Sequence, residues 1–127
     1  MKKQSASKAI LRAKDPERAY LHALDVLKGR WKEAEATIAK DPQYACFYAR
    51  NVLKGRFAEA ETNIATDPEY SYWYAREVLK GRFAEAEPTI AKNPQYACWY
   101  ARAVLGLNEN QAETWFPDKG LELTSDN

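Results

Sequence analysis

The chain has 127 residues, the size of one average domain, and its 46% hydrophobic and 29% charged residues are the composition of a globular protein, neither disordered nor membrane-spanning. A formal net charge of +1 gives no basic excess for tracking a phosphate backbone, no apolar run approaches the roughly 18 residues of a spanning helix, and the opening MKKQSASKAILRAKDP lacks the apolar centre of a secretory signal. A cytoplasmic setting without membrane contact is therefore expected, and the feature left to explain is the aromatic content of eight Tyr, four Trp and four Phe.

Residues 1–14 carry five cations (Lys2, Lys3, Lys8, Arg12 and Lys14) and no acid, and they read as a basic N-terminal capping helix. From Asp15 the sequence repeats with a period of 26: DPERAYLHALDVLKGRWKEAEATIAK (15–40), DPQYACFYARNVLKGRFAEAETNIAT (41–66), DPEYSYWYAREVLKGRFAEAEPTIAK (67–92) and a degenerate NPQYACWYARAVLGLNENQAETWF (93–116). Asp15, Asp41, Asp67 and Asn93 each precede a proline, an N-cap acceptor followed by a residue whose fixed φ suits the first helical position. Four times, then, a helix of about twelve residues begins. In the first three repeats it is expected to stop at Gly29, Gly55 and Gly81 as C′ residues, with Lys28, Lys54 and Lys80 favouring the helix C-terminus. A shorter second helix follows, with Trp31/Phe57/Phe83, Ala34/Ala60/Ala86 and Ile38/Ile64/Ile90 in an i, i+3, i+7 stripe. Pro88 falls early in the third of these, where a short first turn is expected. Residues 117–127 have no periodicity and read as a flexible acidic tail.

Helices this short are marginal alone and must be stabilised by their neighbours. The expected fold is all-α: a right-handed α-solenoid of stacked helix-turn-helix repeats, about 3.5–4 repeats with 8–9 short helices. The pattern DPxYAxxYARxVLKGRFAEAExxIA resembles a class of short two-helix repeats of bacteriophage and bacterial proteins that carry YAR-VIKGRW-EAE-IA-DP arrays. The resemblance implies the repeat fold and a phage or bacterial source, and it brings no catalytic motif.

With each repeat numbered from its Asp or Asn, a 100° step places positions 5, 8, 9, 12 and 13 on one broad core face. That face holds Ala45, Tyr48, Ala49, Val52 and Leu53 in the second repeat, and His22 replaces the tyrosine in the first as a packing residue. Positions 7, 10 and 14 face away, so Leu21, Phe47, Trp73 and Trp99 are expected to form a ladder, with Arg50, Arg76, Arg102, Lys54 and Lys80 framing it. Two readings stay open. In one the rings form a second packing seam, covered by a neighbouring helix or by the arginine three residues on; in the other the row is a binding surface, because Trp, Tyr and Arg dominate hot spots.

Glu33/Glu35, Glu59/Glu61 and Glu85/Glu87 are expected on a solvated face, paired with Arg30, Arg56 and Arg82. Cys46 and Cys98 sit two repeats, or about 20 Å, apart and are expected as reduced thiols. No phosphate loop, nucleophile elbow, metal cluster or dinucleotide fingerprint is present, so no catalytic residue, metal or cofactor is assigned. The expectation is a non-catalytic module that binds a protein, such as a host protein modulated by a phage product, or itself as a homo-oligomer. The alternative is nucleotide or single-stranded nucleic-acid binding, in which the rings stack bases and the arginines meet phosphates.

Overall fold

The computed structural model describes residues 11–115; most of the expected N-terminal capping helix, Phe116 and the acidic tail lie outside them. All regular structure among the described residues is helical. The first helices are α1 (Pro16–His22), α3 (Pro42–Tyr48), α5 (Pro68–Tyr74) and α7 (Pro94–Ala103), and the second helices are α2 (Lys32–Ala39), α4 (Ala58–Ile64), α6 (Glu87–Ala91) and α8 (Glu109–Glu113). Every first helix starts as its Asp-Pro or Asn-Pro predicts: Asp15 accepts from the Arg18 N–H, Asp41 from Gln43 and Tyr44, Asp67 from Tyr70, and Asn93 from Gln95 and Tyr96. Pro88 has the expected effect. A 3₁₀ turn, Ala84–Ala86, leads into α6, and the proline lies in that helix's first turn.

Contacts group into two compact units that divide between Ile64 and Ala65. In the first, α1 packs on α3 and α2 on α4, so first helices form one layer and second helices another. In the second, α5 packs on α7 and α6 bridges them, while α8 closes the end against α7. This repeat-on-repeat layering is that of an α-solenoid. Small residues at positions 5 and 9 (Ala19, Ala23, Ala45, Ala49, and Ser71, Ala75, Ala97, Ala101) are buried between first helices, where their size lets helix axes approach closely. Ile38, Ile64 and Ile90 fill the second layer.

The first helices do not end as the sequence suggests. After position 8, α1, α3 and α5 widen into π turns, Ala23–Leu27, Ala49–Leu53 and Ala75–Leu79. The Ala23 carbonyl accepts from the N–H of both Lys28 and Gly29. The reversal therefore falls on the lysine: Lys28, Lys54 and Lys80 have φ of 53°, 56° and 52°. In the fourth repeat the same position is Gly106, with φ of 73°. Gly29, Gly55 and Gly81 are not the left-handed residues, and a Cβ on Gly55 would meet nothing within 4 Å. The π turns also overturn the inward placement of positions 12 and 13, because a wider turn breaks the 100° step. Val26 is 62% exposed, and Val52, Leu53, Val78 and Leu79 are only half-buried.

A second departure concerns the glutamates. Position 19 is exposed, as expected, but Glu35, Glu61 and Glu87 at position 21 are 5%, 7% and 3% exposed. Arg30 grips Glu35 through two parallel bonds, Nε to Oε2 and Nη2 to Oε1, both 2.9 Å. The same fork joins Arg56 to Glu61 and Arg82 to Glu87. The Tyr48 hydroxyl, from the next repeat, donates to Glu35 Oε2 at 2.7 Å and accepts from the Trp31 N–H at 2.8 Å. Trp31 is the N-cap of α2 and has no side-chain cap of its own, so the following repeat supplies it. Tyr100 does the same in the second unit, donating to Glu87 at 2.6 Å and accepting from the Phe83 N–H at 2.8 Å. No buried side-chain polar atom among the described residues is left without a partner.

Burial by itself raises the Glu35 carboxyl, but the hydrogen bonds from Arg30 and Tyr48 with the Arg30 charge outweigh it and hold the group below its usual 4.5. A depressed carboxyl pKa stabilises fully above the unfolded value and loses that contribution as pH falls through the folded one. Urea midpoints of the wild type should therefore drop as pH is lowered below about 4.5. Glu35→Gln should cost about 1–2 kcal/mol at pH 7, since Arg30 is itself half-exposed, and should flatten part of the acid slope. A second expectation comes from the left-handed lysines: Lys54→Gly should raise stability by about 0.5–1 kcal/mol in the same urea titration, because it relieves a Cβ clash.

Candidate functional site

The position-7 rings do not stand alone on a wet face. Phe47 packs with Tyr20 and Tyr44 at centroid distances of 5.9 Å, and Tyr20 and Tyr44 are 6.0 Å apart. Trp99 forms the matching trio with Tyr72 (6.1 Å) and Tyr96 (5.5 Å), with Tyr72 and Tyr96 6.1 Å apart. In each trio the position-4 and position-7 rings meet edge to face, at 84° and 82°, the geometry that ring quadrupoles favour. Each trio joins position 6 of one repeat to positions 4 and 7 of the next. It therefore needs a tyrosine at position 6 in odd repeats (Tyr20, Tyr72), and the even repeats carry Cys46 and Cys98 there. That alternation is the sequence signal for the trios, and a period of 26 hides it because its own period is two repeats.

The surroundings of the two trios differ. In the first unit the Tyr20 hydroxyl accepts from Asn51 Nδ2 at 2.9 Å, and burial, then the nearby Glu17 charge, push the Tyr44 phenol above its usual range. In the second unit the trio opens onto a groove of ≈ 390 Å³ lined by Glu69, Tyr70, Tyr72, Trp73, Arg76, Tyr96 and Trp99. Trp99 is 42% exposed there, whereas Phe47 and Trp73 are half-buried.

Arg76 lies across this groove's rim and is already engaged. Its guanidinium carbon sits 5.1 Å from the Tyr72 centroid, Nη1 donates to the Tyr72 hydroxyl at 3.0 Å, and Nε pairs with Glu77 at 2.9 Å. It covers the ring four residues before it and not Trp73 three before, as an arginine placed one helical turn on can reach either. Glu69, by contrast, makes no ion pair or side-chain hydrogen bond among the described residues.

The remaining candidates scatter. Arg50 and Arg102 are exposed. Lys54 lines a different groove, with Leu24, Lys28, Gly29, Asn51 and Val52, because the left-handed turn carries it away from the rings. Lys80 occupies the equivalent turn and is exposed. Of the eight candidates, the structure thus brings Trp73, Trp99 and Arg76 together. The tyrosines at positions 4 and 6, absent from that set, complete the site.

Other residues take structural places. His22 stacks on Trp31 at 4.7 Å and accepts from Arg12 at 3.3 Å; burial and the Arg12 charge lower its pKa. Cys46 and Cys98 are free thiols. Trp115 closes the end against Tyr100 at 5.4 Å. No group of three His, Cys, Asp or Glu among the described residues could hold a metal ion, and no helix among them is long and apolar enough to cross a membrane. No protein-family model matches the chain, and no curated protein or solved structure matches it.

The two tryptophans at the C-terminal end should separate packing from display. Trp115 is 3% exposed, so Trp115→Ala should cost about 3–5 kcal/mol in urea unfolding, while Trp99→Ala should cost about 1 kcal/mol because much of its surface is already wet.

Proposed function

We propose that this chain is a non-catalytic interaction module that binds a protein partner through the aromatic groove of its second unit. The observation carrying this reading is the open, five-ring groove in which Trp99 keeps 42% of its surface exposed beside Tyr72, Trp73 and Tyr96. Large aromatic side chains held rigid by their neighbours and left partly wet are the usual anchors of protein interfaces. A phosphate-tracking role is less well supported, because the groove's arginine is bound to Glu77 and a second carboxylate, Glu69, lines the same wall. A phosphodiester would have to approach that carboxylate. The setting we favour is cytoplasmic, with the chain acting as a phage-type modulator of a host protein; self-association through the same groove is the competing occupant.

Affinity capture from nuclease-treated bacterial lysate tests this reading. Wild-type protein should retain a defined set of proteins that Trp99→Ala loses, with the variant still melting as a folded protein. Capture that depends on nucleic acid, or that survives the substitution unchanged, would remove the reading; a concentration-dependent dimer abolished by Trp99→Ala would assign the groove to a second copy.

A further inference from the structure

Resting on that reading, we infer that the groove takes an arginine side chain from an extended, cationic peptide segment of its partner. The groove combines part-exposed aromatic rings with a carboxylate that nothing in the described chain neutralises: Glu69, on α5, lines it together with Tyr96 and Trp99 of α7 and has no ion-pair partner among the described residues. Among the described residues the cation lining it, Arg76, is paired with Glu77, so the carboxylate of Glu69 is the groove's unpaired charge.

The chain itself displays the contact it offers. Arg76 holds its guanidinium carbon 5.1 Å from the Tyr72 ring centroid while its nitrogens bond a hydroxyl and a carboxylate. A guanidinium arriving from outside would meet a ring, a hydroxyl and a carboxylate among the residues that line the groove, Trp99, Tyr96 and Glu69. Arginine suits them better than lysine, because a planar, weakly hydrated fork can stack on a ring and bond a carboxylate through two N–H groups at once, whereas an ammonium is a compact, strongly hydrated point charge. Proline-rich or purely apolar peptides would use the rings but leave Glu69 desolvated and unpaired, which is costly.

The test uses the full chain, labelled with ¹⁵N, titrated with three short acetylated and amidated peptides that share a Gly-Ser frame: one with two arginines, one with lysines in their place, and one with citrullines, which keep the shape without the charge. The arginine peptide should shift the amide signals of Glu69, Tyr96 and Trp99 in a saturable way, and should bind about fivefold or more tightly than the lysine peptide. The citrulline peptide should show about tenfold weaker binding or none. Glu69→Gln, at an exposed position in the first turn of α5, should weaken the arginine peptide by a similar factor while the variant keeps the wild-type amide spectrum away from the groove. Equal binding of the citrulline peptide, no loss with Glu69→Gln, or shifts confined to other residues would overturn the assignment. If the lysate capture still depends on Trp99 while the arginine peptide fails, only the arginine assignment falls; if neither depends on Trp99, the interaction reading falls with it.

Discussion

A carboxylate taken out of water must find its compensation nearby, and in this chain Glu35 and Glu87 find it in two places at once. Arg30 or Arg82, five residues earlier in the same repeat, supplies a bidentate fork, while Tyr48 or Tyr100, thirteen residues later in the next repeat, supplies a hydroxyl. The tyrosine hydroxyl then uses its lone pair on the uncapped N–H that opens the preceding second helix. One cluster thus fixes the angle of the turn, the start of the second helix and the docking of the following repeat. Alanine-lined helix contacts supply burial but little directional information, so the polar tie is what sets the register between one repeat and the next. Removing the arginine or the tyrosine leaves a buried carboxylate short of a partner, the costly case for polar groups.

The π turns follow from the same demand for placement. A first helix that ended as a regular α-helix would keep positions 12 and 13 on the inward face. The widened turn instead leaves Val26 and Leu27 exposed in the first repeat and their counterparts half-buried later. It also delivers the chain to a left-handed residue from which Arg30, Arg56 and Arg82 reach their glutamates. The lysines tolerate an unfavourable φ that Gly106 adopts freely, and strain of this kind persists where surrounding contacts over-determine it.

Much of the architecture is legible in the sequence because its signals are local. An Asp-Pro pair caps a helix wherever it stands, and the i, i+3, i+7 stripe of Phe57, Ala60 and Ile64 marks a buried face without reference to anything outside the helix. The arginine–glutamate pairing is legible in the sequence, but the burial of Glu35, Glu61 and Glu87 is not, since the tyrosine that ties Glu35 and Glu87 lies a repeat away. A trace of it is nonetheless present. Tyrosine stands at position 8 only in the repeats preceded by Arg-x₄-Glu; the first repeat, preceded by none, has His22, and the fourth, followed by no repeat, has Asn108 in place of the arginine. The aromatic site was half-legible for a similar reason. Position 7 is conspicuous on a helical wheel, whereas its partners Tyr72 and Tyr96 come from two different repeats and the groove they form depends on stacking.

The alternation of tyrosine and cysteine at position 6 gives the array a larger word than its 26-residue syllable. Tyr20 and Tyr72 each reach forward to rings of the repeat that follows, whereas positions 46 and 98 carry cysteine, which has no ring to offer. The module for an aromatic trio is accordingly the pair of repeats, and the two halves of the chain are two spellings of it, one with Phe47 and the other with Trp99. Growth of such an array by whole pairs would repeat the trio, while insertion of a single repeat would put cysteine and tyrosine out of step and lengthen the scaffold without adding one.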